Sequence, residues 1–183
     1  MSPLYEIADA VVRFMDSSPG FPAALLYILV AAVPVTLLHE LGHAVVARRL
    51  LGDEVQVSVG TAGRLAELRL GGVVVSLNAL TQPGSIAGAA EFDGERATAR
   101  DVLLITLAGP AASLIGVVGS AWALSAVAAG DVAHALLWAA TLGGFFGVLN
   151  LVPLTFTEGR EGPPVRTDGR LALDAMRVVR ALR

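Results

Sequence analysis

The stretch FPAALLYILVAAVPVTLLHELGHAVVARR, from Phe21 to Arg49, joins an uncharged apolar run to a cluster of histidine and glutamate. The run from Phe21 to Leu38 is close to the roughly 20 residues with which an α-helix crosses the hydrocarbon core of a bilayer. It leads directly into the motif His39–His43, whose sequence is HELGH. The stretch therefore predicts a first membrane span, 21–50, that carries metal-binding residue types at its end.

Two further segments carry no charged residue over more than the length of a bilayer span. They run from Val102 to Ala129 and from Val132 to Thr157. The chain of 183 residues is 55% hydrophobic with a mean hydropathy of +0.69, which is high for a soluble protein. We therefore predict a mainly α-helical membrane protein, with one domain over 1–183 and three transmembrane helices at 21–50, 100–129 and 132–153.

The segment between the first two spans has the pattern of β-strands. Valines at positions 55, 57 and 59 alternate with smaller or polar residues, and a second valine-rich run follows Gly71-Gly72. Alternation with a period of two, broken by glycine turns, predicts a small antiparallel sheet over 55–80. We predict a polar connector from Gln82 to Arg100, a short amphipathic interfacial helix in 1–20, and a loop followed by an amphipathic C-terminal helix in 154–183.

The distribution of arginine predicts the orientation of these spans. The chain has no lysine, and only Arg13 of its 13 basic residues precedes the first span. The others lie after the apolar run of the first span and before that of the second, or after the third span, whereas the short connection around Gly130 and Asp131 has none. By the positive-inside rule we expect a multi-pass protein of the cell (inner) membrane with its N-terminus outside and its C-terminus in the cytoplasm. We expect the lipid bilayer as a partner of the three spans. Because the topology accounts for the arginines, we expect no binding of nucleic acid.

The spacing within the HELGH motif is that of a metal site on a helix. His39 and His43 lie on one face about one turn apart, so two imidazoles can bind one ion. Glu40 lies beside the first histidine and can take a proton from an attacking water and pass it to a leaving amine. The alternative is a pair of interfacial histidines, with Glu40 paired to Arg48 or Arg49.

A hydrolytic zinc usually has three protein ligands. The chain has no cysteine, and its remaining histidine, His134, lies near the start of the third span, on the other side of the membrane in the predicted topology. The third ligand is therefore expected to be a carboxylate. The residues alone leave the choice open among Glu158, Glu161, Asp168 and, less favourably, Asp101 and Asp174.

Three motifs, in this order along the chain, resemble those of the site-2 protease family of intramembrane zinc metalloproteases. The first is His39–His43 at the end of a span, and the second is Ala108-Gly109-Pro110, similar to the family's small-Gly-Pro motif. The third is Asn150-Leu151-Val152-Pro153 with Asp168-Gly169, similar to its Asn-x-x-Pro…Asp-Gly motif. The strand-like segment also looks like the family's membrane-associated β region, which is thought to present the substrate as an extended strand.

The resemblance implies one Zn²⁺ per chain, bound by His39, His43 and Asp168, with Glu40 as general base and acid. It implies that Asn150 contacts the substrate backbone or the tetrahedral intermediate. The expected activity is hydrolysis of a peptide bond within or next to a transmembrane segment of a substrate protein, near the cytoplasmic face. The alternative is a non-catalytic metal-binding membrane protein that acts through a protein partner.

The chain departs from the family in two respects. In the family the Asp-Gly pair closely follows the proline, whereas here Leu154–Thr167 separates them. The short connection between the second and third spans leaves no room for a PDZ domain, and the tail leaves none for a nucleotide-sensing domain. We therefore expect a compact bacterial member, in which the β region, the loop or a regulatory membrane partner selects the substrate.

Overall fold

The computed structural model describes residues 21–79, 88–127, 130–157 and 164–182. These residues form α1 (Phe21–Leu51), β1 (Val55–Val59), β2 (Arg64–Leu70), β3 (Val73–Asn78), β4 (Gly88–Glu91), a short 3₁₀ helix (Gly94–Arg96), α2 (Ala99–Ala126), α3 (Asp131–Leu151), β5 (Thr155–Thr157), β6 (Pro164–Arg166) and α4 (Asp168–Ala181). The predicted mainly helical fold, with a small sheet between the first two long helices, is confirmed. The predicted helix in 1–20 lies outside the described residues.

The helices α1, α2 and α3 are each long and apolar enough to cross a membrane, as predicted. α1 continues through the HELGH motif and ends at Leu51, where Gly52 takes a positive φ of 81°. Glycine is the residue that adopts this left-handed conformation without a steric penalty. α2 begins at a capping box in which Thr98 and Asp101 each bond the backbone N–H of the other.

Small residues let the three long helices approach closely, as is usual for helices packed in membranes. A Cβ atom on Gly42 of α1 would lie 2.5 Å from the Ala108 carbonyl oxygen of α2. A Cβ atom on Gly147 of α3 would lie 3.3 Å from the Cβ atom of Ser113, also on α2. α2 is therefore held between the helix that carries HELGH and the helix that carries Asn150.

The four-stranded sheet has the order β2-β3-β1-β4 and is mixed. β1 and β3 are parallel, whereas β2 with β3 and β1 with β4 are antiparallel, so the prediction of a purely antiparallel sheet is wrong. The reason lies in burial. The strands with buried valines, β1 and β3, occupy the centre and pack on Ala44 and Ala47 of α1, while the fully exposed β2 is displaced to the edge.

Part of the segment predicted as a polar connector is a strand. Gly88–Glu91 forms β4, which pairs antiparallel with β1 at the other edge of the sheet. The sequence GAAE has neither β-branched nor aromatic residues, so local propensity gives no strand signal. Its pairing with β1 is a tertiary effect, and it places the sheet edge beside the HELGH end of α1.

The chain after α3 turns back on itself before the last helix. β5 and β6 form a two-stranded antiparallel ribbon in which Thr155 pairs with Arg166. α4 follows at once and buries Ala172 and Ala175, packing mainly on α2. The predicted C-terminal helix is present, and the ribbon places its first residue beside the HELGH motif of α1 and the end of α3.

Candidate metal centre

Three side chains from two distant parts of the chain converge at the HELGH motif of α1, in the half of that helix that is predicted to face the cytoplasm. His39 and His43 are buried on α1, and Asp168 is the first residue of α4. The Nε2 atoms of the histidines are 3.2 Å apart, and they lie 3.1 Å (His39) and 3.4 Å (His43) from Asp168 Oδ2. The structure therefore brings together the three residues that the family resemblance implied as ligands.

The donor and acceptor balance of this triangle favours a cation. His43 Nδ1 lies 2.7 Å from the Ile105 carbonyl oxygen, which can only accept, so Nδ1 carries the proton. In the neutral ring Nε2 then presents a lone pair, and it faces the oxygen of the Asp168 carboxylate. A tetrahedral zinc with bonds of about 2.0–2.1 Å separates its ligand atoms by about 3.3 Å, close to the spacings observed. The residues present therefore fit a zinc ion.

The charge state of Asp168 is consistent with a ligand role. Burial by itself would raise the pKa of this carboxyl, because it disfavours the charged form. Hydrogen bonds and charge interactions with His39 and His43 outweigh burial and hold the pKa below its usual range. At neutral pH Asp168 is therefore an anionic acceptor.

Each histidine ring is oriented by a group on α2. His39 Nδ1 lies 2.9 Å from the hydroxyl oxygen of Ser113, which is almost completely buried, while Ile105 accepts from His43. Such partners fix the rotation of metal-binding imidazoles. Sequence reasoning missed both residues. They lie one turn before and one turn after Gly109. The position of Ser113, a polar residue on the same helix face as Gly109, could have indicated its role from the sequence.

Glycines in the motifs allow the close contacts that build the site. Gly109 lies against the His43 ring, and any Cβ atom there would overlap the imidazole. Gly169 lies against the Leu151 carbonyl, where a Cβ atom would again overlap, so α4 begins directly beside the end of α3. The two glycines thus explain physically why bulkier residues are excluded beside the ligands.

The long separation between Pro153 and Asp168 is closed by local pairing. Beyond the β5–β6 ribbon, the Thr167 hydroxyl donates to the Val152 carbonyl oxygen at 2.6 Å and accepts from the Leu154 N–H at 3.0 Å. Thr167 also caps α4. Thr167 is therefore bonded directly to the segment that follows α3, and Asp168 lies beside the end of that helix.

Glu40 and Asn150 border the cavity next to the three ligand side chains. The cavity measures about 580 Å³ and is lined by α1, β4, α2, α3, β6 and α4. Glu40 is half-buried beside β4, where a Cβ atom on Gly88 would lie 2.6 Å from the Glu40 Cγ atom. The Asn150 side-chain nitrogen lies 3.3 Å from His39 Nε2. Both side chains can therefore reach a molecule bound beside the ligand triangle.

The other candidate ligands have other positions. Asp101 accepts hydrogen bonds from Thr98 at the start of α2, and Asp174 pairs with Arg170 and Arg177 on α4. Glu158 and Glu161 lie outside the described residues. His134 stacks on Tyr27 in the part of the molecule away from HELGH. Among the carboxylates in the described ranges, Asp168 is the one that joins both histidines in a group able to hold an ion.

Comparison with known families gives an independent observation. The family model for peptidase family M50 matches residues 25–128, more than half of the chain. The match covers most of α1, including its HELGH motif, the four-stranded sheet and α2 with Gly109. Asn150 and Asp168 lie beyond it. No curated protein matches the chain significantly.

Proposed function

The chain belongs to peptidase family M50, a family of membrane metalloproteases, and on that premise we propose that it is an intramembrane zinc metalloendopeptidase. It hydrolyses a peptide bond within or next to a transmembrane segment of a substrate membrane protein, near the cytoplasmic face. The observation that carries the proposal is the triangle of His39, His43 and Asp168 on the wall of a cavity that Glu40 also lines.

His39, His43 and Asp168 would hold one zinc ion per chain. When bound, zinc supplies a Lewis acid that polarises the scissile carbonyl and makes water nucleophilic at neutral pH. The contacts of Ser113 and Ile105 keep the two imidazoles turned toward Asp168 before any ligand arrives. The protein's own contribution is thus a preformed triangle of acceptors at a fixed place on the cavity wall.

Glu40 would move the proton. Its carboxylate follows His39 directly in the helix and faces the cavity, so it can accept the proton of the attacking water. The same group then donates that proton to the amine that leaves. Asn150 would donate a hydrogen bond from its amide to the carbonyl oxygen under attack, which stabilises the negative charge that develops there.

The edge strand β4 offers a way to hold the substrate open. A helical segment conceals its carbonyls in internal hydrogen bonds, so it must be extended before attack. β4 lines the cavity with Gly88, Ala89 and Ala90, and no strand of the described residues pairs with its outer edge. An extended substrate segment added along this edge would run beside Glu40. Small side chains on β4 leave room for those of the substrate.

The orientation follows from charge. The HELGH end of α1 is followed by Arg48 and Arg49, and the same end of the bundle holds α4 with its arginines. By the positive-inside rule this end faces the cytoplasm, so the N-terminus is outside the cell. A multi-pass inner-membrane protein with a cytoplasm-facing site is the arrangement that we propose.

The decisive experiment separates zinc binding from chemistry. Wild type, Glu40→Gln and the control Glu54→Gln are purified from membranes, and zinc is measured by mass spectrometry. In parallel, new N-termini in membrane proteins are mapped by terminal labelling in cells that express each variant. We expect about one zinc per chain in all three, and Glu40→Gln should lower the rate of specific cleavage by about 10²- to 10⁴-fold.

Glu54 is a suitable control because it is exposed and lies just after α1, outside the cavity. If Glu40→Gln cleaves as fast as wild type, the proposed mechanism is wrong. If wild type and both variants bind zinc and none of the three produces a new N-terminus in a membrane protein, the non-catalytic metal-binding alternative replaces the proposal.

A further inference from the structure

The strand β2 is the most exposed regular element of the sheet. All seven of its residues are exposed, including Leu65, Leu68 and Leu70 with 73%, 57% and 56% of their surface accessible. It lies at the edge of the sheet opposite β4, and no strand among the described residues pairs with its outer side. An exposed edge of this kind is a template for pairing with another strand.

The two faces of β2 differ in chemistry. Ala66, Leu68 and Leu70 lie opposite Leu77, Val75 and Val73 of β3, so they share the face whose valines pack on α1. Glu67 and Arg69 lie opposite Ser76 and Val74, on the other face. β2 therefore extends the apolar, helix-covered face of the sheet outward. On the reverse side it carries Glu67 and Arg69, whose side chains pair with each other within the chain at 3.2 Å and can exchange into equivalent pairs between two copies.

The charge pattern selects one partner, a second copy of this chain. Two copies inserted in one orientation in one bilayer are related by a twofold axis along the membrane normal. The twofold axis of two identical antiparallel strands is perpendicular to their sheet, so this pairing requires the joined sheet to lie parallel to the membrane plane. One residue then faces itself, and its neighbours face each other in exchange. With Leu68 on the axis, Glu67 of each copy faces Arg69 of the other, and Ala66 faces Leu70.

The neighbouring registers are worse. An axis at Glu67 or at Arg69 sets two like charges directly opposite each other, which destabilises paired strands. An axis at Ala66 sets Glu67 against Leu65. Of the registers around the centre of β2, the one centred on Leu68 pairs both charges with opposite charges and leaves leucine against leucine on the apolar face.

We propose that the protein forms a symmetric homodimer in the membrane through antiparallel pairing of β2 with β2 of a second copy, centred on Leu68. The two sheets then join into one eight-stranded sheet with a continuous apolar face. Confinement of both copies to one bilayer in one orientation removes much of the translational and rotational freedom that association in solution costs. The opposite edge, β4, stays available beside the cavity.

The chain contains no cysteine, so one introduced cysteine is a unique probe of this contact. Leu68→Cys places the two cysteines directly opposite each other across the axis. Their Cα atoms are then closer than the roughly 7 Å that a disulfide tolerates. Mild oxidation of membranes should therefore give a disulfide-linked dimer. Leu65→Cys is the matched control: its side chain is more exposed, yet the two copies would lie six residue steps apart, about 20 Å.

Charge reversal tests the register. Glu67→Arg and Arg69→Glu, each in the Leu68→Cys background, replace two opposite-charge pairs by two like-charge pairs, and we expect about tenfold less linked dimer from each alone. Co-expression of the two variants, with different tags, should restore linkage between them, because every arginine then faces a glutamate. Zinc content equal to wild type shows that each variant is folded.

Three results would overturn the proposal. The first is the absence of a linked dimer from Leu68→Cys, and the second is equal linkage from Leu65→Cys, which indicates random collision. The third is linkage that ignores the charge reversals, which indicates that the two copies meet near Leu68 without the antiparallel pairing of β2 that sets Glu67 against Arg69.

Discussion

The two ends of the helical bundle both combine histidine with aspartate, but they differ in the hydrogen-bond donors available to the aspartate. At the HELGH end, the Nε2 atoms of His39 and His43 and the Oδ2 atom of Asp168 lie within 3.4 Å of one another. At the other end, the Tyr27 hydroxyl donates to Asp131 at 2.5 Å. Tyr27 also stacks on His134, with ring centroids 5.6 Å apart.

The difference is one of donors rather than of residue types. The Tyr27 hydroxyl supplies a hydrogen-bond donor to the Asp131 carboxylate. His134 Nδ1 lies 2.9 Å from the Gly130 carbonyl oxygen, which accepts a hydrogen bond from it. The hydrogen bond from Tyr27 to Asp131 therefore joins α1 to α3 at this end. At the HELGH end, the Ile105 carbonyl holds the ring proton of His43 on Nδ1. The Nε2 lone pair of the neutral ring therefore faces the Asp168 carboxylate, and a cation between the two would satisfy both.

The largest effect that this comparison predicts is on zinc content. His43→Ala removes one of three ligand atoms and should reduce zinc from about one per chain to a small fraction after dialysis, as measured by mass spectrometry. His134→Ala removes a histidine from the same α-helical membrane unit and should leave zinc unchanged. Loss of zinc from His134→Ala as well would show that zinc binding does not depend on the HELGH end alone.

What the sequence predicted is what depends on local pattern. Three spans follow from hydropathy along the chain, and two ligands with the adjacent Glu40 follow from spacing within one helix. The third ligand came from a motif resemblance, because the residues alone left several carboxylates open. The structure places Asp168 with the histidines, and its ligand role stays a prediction until zinc is measured.

What the sequence did not predict depends on contacts between distant segments. In the sequence, Ser113 looks like an ordinary small packing residue of a membrane helix. Only the approach of α1 makes it a partner of His39. The parallel pairing of β1 with β3 and the strand β4 likewise arise from burial against α1. Propensity within five or six residues cannot encode such pairings.

The second prediction concerns the connection that returns Asp168 to the site. Thr167→Ala removes the hydroxyl that ties α4 to Val152 and Leu154, so we expect zinc to bind up to about 100-fold more weakly in a competition titration with a chelator. Thr167→Ser keeps the hydroxyl and should restore most of the affinity. Thr141→Ala, which removes an exposed hydroxyl from α3, is the control. Equal affinity in Thr167→Ala and wild type would refute the positioning role.

A smaller effect is expected from the partner of His39. Ser113→Ala leaves the imidazole in place and removes one contact that orients it, so zinc affinity should fall by about tenfold. Ser120→Ala changes the same residue type two turns further along α2 and should not affect zinc. If both variants weaken zinc equally, the loss reflects general loosening of α2 rather than the contact with His39.

The smallest effect should come from the opposite end. Tyr27→Phe keeps the ring stacked on His134 and removes only the hydroxyl that donates to Asp131. Because this contact is exposed, we expect the apparent Tm of the detergent-solubilised protein to fall by a few degrees at most. Zinc content and cleavage should stay at wild-type values, since Tyr27 lies twelve residues before His39, about 18 Å along α1. A loss of zinc in this variant would mean that the contact between Tyr27 and Asp131 sets the position of the ligand helix, and the two ends would then form one coupled unit.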